Sequence, residues 1–265
     1  MKSFVIDVAH CSGCYCCQLA CKDEHCGNDW TPYAKPQPLI GQFWGKLIEH
    51  ERGTVPKVKM AYVFMPCQHC ENAPCIDVCP VDGAIYARED GLVIIDPDKC
   101  SGCRLCIDAC PYEVIYYNDN IQIAQKCTGC AHLVDRPNWI AGIRCADACP
   151  NTAIEFGDSI DTSGTETLYP EFGLTTRVKY KKLPKKFIAG CVYDSSKKEI
   201  VEGATCTLSG KASGNATTDE FGDFWFEDLA DGEYSLKIEA TGYATKTIDD
   251  INTVKDVNLG DIDLA

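Results

Sequence analysis

Sixteen of the 20 cysteines in this 265-residue chain fall into four sets of four, and every set closes on Cys-x-x-x-Cys. The first is Cys11, Cys14, Cys17 and Cys21 in "CSGCYCCQLAC"; the second is Cys67, Cys70, Cys75 and Cys79 in "CQHCENAPCIDVCP". The third is Cys100, Cys103, Cys106 and Cys110 in "CSGCRLCIDACP", and the fourth is Cys127, Cys130, Cys145 and Cys149 in "CTGCAHLVDRPNWIAGIRCADACP". A [4Fe–4S] cube needs one thiolate per iron, and three closely spaced cysteines in a loop can wrap three of its corners. The fourth cysteine, three residues further on, sits on a short helix that points away, so it ligates a neighbouring cube. Two sets therefore make two clusters by exchanging fourth ligands, and four sets make four [4Fe–4S] clusters. Pro80, Pro111 and Pro150 follow the last cysteine of their sets and turn the chain out, whereas the first set has Lys22 there.

Other uses of clustered thiols fit less well. The start "MKSFVIDVAHC" has no basic region followed by a long apolar stretch, and no run approaches a membrane span. The expectation is thus a cytoplasmic protein with reduced thiols and no membrane span, not a secreted disulfide scaffold. A net charge of −14 makes nucleic acid an unfavourable partner. The fourth set, with 14 residues between Cys130 and Cys145, would pass for a zinc site if it stood alone, but it stands beside three iron–sulfur sets. Of the other cysteines, Cys16 could replace Cys17 in the first loop, although Cys17 keeps the ferredoxin spacing; Cys26, Cys191 and Cys206 read as buried thiols. His69 and His132, inside ligand loops, could hydrogen-bond a cluster sulfur, and Lys99, Lys126 and Arg144, each preceding a ligand, could act on a cluster through charge. Surface solvation is the alternative for all five.

The fold class that follows is α+β, a duplicated bacterial-ferredoxin-like domain and then a small antiparallel β-sandwich. "VDGAIYA", "YEVIYYN" and "NTAIEFG" follow the three prolines as repeated β-rich segments. Two of them continue into hairpins, Ile85 to Asp96 turning at Asp90-Gly91 and Val114 to Ala124 turning near Asn118 to Asn120. The expected division is a four-cluster domain over 1–176 with an insertion at 27–66, a basic linker over 177–186 and the sandwich over 187–265. The linker, "RVKYKKLPKK", has six basic residues in ten and reads as solvated. The last 79 residues carry 16 acidic against 6 basic side chains and alternate in short β segments, as at Phe224, Trp225 and Phe226. No GxGxxG after a strand, Walker loop or nucleophile–base pair is present, so no catalytic residue is expected in this chain.

The order of the four sets, the long-gap fourth set beginning "KCTGCAHL" and the opening "FVIDVAHC" resemble the iron–sulfur β subunits of the DMSO reductase family of molybdopterin enzymes. The resemblance covers roughly residues 1–186. It implies that the first set pairs with the fourth and the second with the third. Cys11, Cys14 and Cys17 would then share a cluster with Cys149, and Cys127, Cys130 and Cys145 one with Cys21. Likewise Cys67, Cys70 and Cys75 would go with Cys110, and Cys100, Cys103 and Cys106 with Cys79. It also implies a large molybdopterin-binding catalytic subunit as partner, with the molybdopterin in that partner only.

"NDW", "ERGTVPKVKMAYVFMPCQHCENAPC", "AQKCTGCAHLVD" and "PEFGLTTRVKY", followed by an acidic β-rich tail, look within that family like the small subunits of pyrogallol–phloroglucinol transhydroxylases. Those subunits lack the cysteines of one cluster, in keeping with a reaction of no net redox change; here the third set is complete. The complete row implies electron exchange with an external carrier, as in an aromatic hydroxylase or reductive dehydroxylase. The tail, with "TTDEFGDFWFEDLADGEYSLKI", resembles transthyretin-like or carboxypeptidase-regulatory-like modules, which fixes a fold and no activity. Trp30 and Trp44, on the proline-rich insertion, are candidate anchors against the large subunit. The competing functions are the electron-transfer subunit of an inorganic oxyanion or sulfur-compound reductase and a free-standing polyferredoxin.

Overall fold

The computed structural model describes residues 1–265, which divide into two compact units. One comprises Met1–Glu49 with Tyr62–Leu183, the other His50–Ala61 with Pro184–Ala265.

The first unit begins with β1 (Lys2–Asp7), whose Phe4, Val5 and Ile6 are all buried. Such a run suits a central strand, and β1 is flanked by β8 (Ile154–Asp158), antiparallel, and β9 (Val178–Lys181), parallel. Strand β9 corrects the expected solvated linker. In "VKYK" the lysines alternate with Val178 and Tyr180, both fully buried, so the basic residues line one face of a strand whose other face is core. Helix α1 (Cys16–His25) buries Cys17, Cys21 and His25, one residue per turn on a single stripe.

The three remaining sets repeat a short helix and a strand. Helices α2 (Pro74–Asp77), α3 (Leu105–Asp108) and α5 (Arg144–Asp147) carry Cys75, Cys106 and Cys145, and each ends before the fourth cysteine of its set. A further turn, α4 (Ala131–Val134), starts at Cys130 inside the long gap of the fourth set. Hairpins of β4 (Ile85–Ala87) with β5 (Val93–Ile95), and of β6 (Ile115–Asn118) with β7 (Ile123–Lys126), follow the second and third sets.

The insertion is built around a hairpin of β2 (Gly45–Thr54) and β3 (Lys57–Pro66). Trp44 is 1% exposed and packs on His25, with ring centroids 4.7 Å apart, so it is a core residue and not a surface anchor. Trp30 is partly buried, stacks on His132 at 4.3 Å and donates Nε1–H to the Glu24 carbonyl at 2.8 Å. Its ring is thus engaged within its own unit.

In the second unit, β10 (Lys186–Asp194) pairs with β11 (Glu199–Ile200), β14 (Asp223–Leu229) and β17 (Val257–Asp263); the last pairing is parallel, against the all-antiparallel expectation. A second sheet has the order β13-β12-β15-β16, from β12 (Thr205–Gly210), β13 (Gly214–Thr217), β15 (Glu233–Glu239) and β16 (Lys246–Asn252). Ile188, Phe224 and Phe226 of the first sheet share a core with Leu208, Leu236 and Ile238 of the second. The tip of the β2–β3 hairpin belongs to this unit: Arg52 binds the Asp256 carboxylate through Nε and Nη2 at 3.2 and 2.8 Å, and Lys57 pairs with Asp223. Of the cysteines read as buried, Cys206 is, while Cys26 and Cys191 are partly exposed.

Candidate metal centres

Each ligand loop folds tightly because its third residue takes a left-handed backbone. Gly13, Gly102 and Gly129 have φ of 72°, 70° and 61°. Close packing adds to the demand at Gly13, where a Cβ would lie 2.6 Å from the Tyr62 ring. The turn aims backbone N–H groups at the first sulfur of the set. His69 N–H donates to Cys67 Sγ at 3.5 Å and Gly129 N–H to Cys127 Sγ at 3.4 Å.

The fold gathers the sixteen candidates into four groups. Cys11, Cys14, Cys17 and Cys149 line one cavity, whose other walls include Ile6, Leu47, Phe64 and Ile154. Cys67, Cys70, Cys75 and Cys110 line another, with Ala73, Val93, Val114 and Ile115. Cys21 lies among Cys127, Cys130 and Cys145, and Cys106 beside Cys100, Cys103 and Cys79; burial first, and then the neighbouring sulfurs, push the thiols of Cys21, Cys145 and Cys106 up. In every group three sulfurs come from one set and the fourth from another. Neighbouring groups are also close: Cys17 acts on Cys145, Cys67 on Cys127, and Cys106 on Cys75. The four groups therefore form a row.

Burial pushes the thiols of Cys17, Cys70, Cys75 and Cys130 up to about 12, and that of Cys106 up to about 11. Thiols held this high give up their protons more readily beside compensating positive charge, which a bound metal would supply. A single zinc ion would draw four sulfurs to about 2.3 Å from one point. Nowhere in the chain do three His, Cys, Asp or Glu side chains converge so closely. Four sulfurs spread around one cavity suit a group with one metal per thiolate, as in a [4Fe–4S] cube.

The flanking polar residues divide sharply. The His69 ring does not bind sulfur: Nδ1 accepts the Val93 N–H at 2.9 Å and the ring stacks on Phe4. His132 pairs with Glu24 at 2.9 Å, and Arg144 pairs with Glu24 and Asp147, both at 3.0 Å. Lys99 is exposed and pairs with Asp96. Lys126 is buried, with Nζ bonded to the carbonyls of Val93 and Cys127. Burial alone would lower its pKa, but Cys67, Cys75 and Cys127 more than reverse that and hold it raised. Glu24, which joins His132 to Arg144, lies outside every cysteine motif, and the sequence carries no signal that singles it out.

A 4Fe-4S dicluster domain matches residues 58–159, and a carboxypeptidase regulatory-like domain matches residues 188–265. The chain is 40% identical to the pyrogallol hydroxytransferase small subunit of Pelobacter acidigallici over 277 aligned residues, 98% of each chain. It is 40% identical to the B subunit of the anaerobic dimethyl sulfoxide reductase of Escherichia coli (strain K12), over 48% of this chain and 60% of that one. Similarity to the arsenate respiratory reductase iron–sulfur subunit of Shewanella sp. (strain ANA-3) is 42% identity over 43% of this chain and 44% of that one. No helix is long and apolar enough to cross a membrane.

Proposed function

Because the protein belongs to the family of the pyrogallol hydroxytransferase small subunit, we propose that it is the electron-transfer subunit of a molybdopterin enzyme acting on a polyhydroxylated aromatic compound. In this reading the four cysteine groups hold four [4Fe–4S] clusters, paired as the family resemblance implies, and the molybdopterin is carried by a large catalytic partner. When bound, such clusters supply one-electron carriers whose potentials depend on surrounding charge, hydrogen bonds and exposure. The chain's own part is to fix them. Thiolates anchor the irons, loop N–H groups bond the sulfurs, and apolar walls such as Phe64 and Ile154 exclude water from the row.

The observation that carries the reading is similarity along the whole chain, tail included, to a pyrogallol hydroxytransferase small subunit. The dimethyl sulfoxide and arsenate reductase subunits match less than half of the chain, which favours an aromatic over an inorganic substrate. The second unit has no catalytic constellation and serves in this reading to pack on the large subunit. The complex works in the cytoplasm and passes electrons to or from an outside carrier.

Anaerobic purification of this chain with its native partners tests the proposal. A fixed large molybdenum subunit that turns over di- or trihydroxybenzenes is the expected result. Isolation as a free monomer, or activity on arsenate or a sulfur oxyanion alone, would overturn it.

A further inference from the structure

Lysine is almost never fully buried unless paired, because removing an ammonium from water costs several kcal/mol. Lys126 is 2% exposed and its Nζ meets no carboxylate; its partners are the carbonyls of Val93 and Cys127. As the last residue of β7 it precedes Cys127, a member of one inner group, while its side chain reaches the carbonyl of Val93, which lines the cavity of the other group with Cys67, Cys70, Cys75 and Cys110. The ammonium thus stands at the junction of the two inner groups of the row. The other lysine and arginine that directly precede a ligand, Lys99 and Arg144, have their charge matched by carboxylates. Arg144 is matched by Glu24 and Asp147, and Lys99 is 56% exposed and paired with Asp96.

We propose that Lys126 is the positioned counter-charge of the two inner clusters, raising both of their reduction potentials above the values their thiolates alone would give. The inference rests on the four-cluster reading above. Each reduction adds a negative charge to a water-poor site, and a fixed cation stabilises the reduced form more than the oxidised one. Two carbonyl bonds hold the ammonium in place, so its field does not relax away as bulk ions do. Lys126 is a positioning residue: it sets where an electron rests along the row without itself carrying one.

The test is an EPR-monitored redox titration of the intact complex with Lys126→Met and Lys126→Arg variants. In the methionine variant two of the four midpoint potentials should fall, each by a tenfold or greater change in the reduction equilibrium, about 59 mV for one electron. The other two should stay, and the arginine variant should restore the inner pair. Four resolved signals in the unaltered complex establish the clusters themselves, so unmoved potentials in a fully loaded methionine variant would overturn the role of Lys126 alone. If that variant loses iron, the unaltered complex labelled with ¹⁵N-lysine decides the matter. Pulsed EPR should find one nitrogen coupled to a reduced inner cluster, and no coupling would overturn the proposal.

Discussion

At His69 the chain departs from its own repeat. Glycine holds the third loop position in three sets, but the second reads "CQHC", and His69 adopts φ 45° there. A left-handed backbone disfavours a side chain, yet Nδ1 accepts the buried Val93 N–H and the ring covers Phe4. His69→Gly should ease the backbone but leave that N–H unpaired, for a net loss of about 1–2 kcal/mol in chemical unfolding of the loaded protein. Gly102→Ala tests the reverse case: a Cβ there would collide with the Gln122 carbonyl oxygen at positive φ. The expected outcome is loss of the third loop's cluster, about a quarter of the bound iron, with the fold otherwise intact. The cysteines were legible because thiolate count and spacing are chemical requirements. The turning of the His69 ring towards Val93, and the burial of Lys126, were not, since both depend on a β5 that is remote in sequence.

Among the elements, the β2–β3 hairpin was the least legible. Its sequence, "GKLIEHERGTVPKVKMAYVFMP", alternates unevenly, and its tip finds its partners some 200 residues later. Arg52 and Asp256 form a two-point ion pair, and the same carboxylate accepts the Phe187 N–H at 3.0 Å. Asp256→Ala should therefore cost about 2–3 kcal/mol, seen as a lower unfolding midpoint, because it leaves a mostly buried guanidinium unpaired. A second contact joins the end of β4 to the end of α4: Arg88 binds Asp135 through two nitrogens at 2.8 and 2.7 Å and holds its carboxyl below the usual carboxylate range. A depressed folded pKa means that this contribution is complete above the unfolded value, about 3.9, and is lost as pH falls through the lower folded value. Asp135→Asn should thus cost a partly exposed pair's ~0.5 kcal/mol at neutral pH, a difference that closes as pH falls below about 4. The basic stretch around β9 was misread for a related reason. Counting its lysines hid the alternation that places Val178 and Tyr180 in the core.

For the whole molecule, the division of labour is between a first unit that contains every cysteine of the four sets and a second that contains none of them. A chain ending at Leu183 should keep all four clusters and lose affinity for the large subunit, with the hairpin tip deprived of Asp223 and Asp256. Iron loss by a cluster or more in a folded truncation would contradict this. Cys103→Ser should cut turnover with an external carrier steeply, while internal hydroxyl transfer at the molybdenum persists. The most direct measurement is joint quantification of iron, acid-labile sulfide and zinc in the anaerobically purified complex. About sixteen iron and sixteen sulfide per copy of this chain, beyond any the partner carries, with no stoichiometric zinc, is the expected result. Iron for three clusters or fewer, or zinc in any cysteine group, would contradict it.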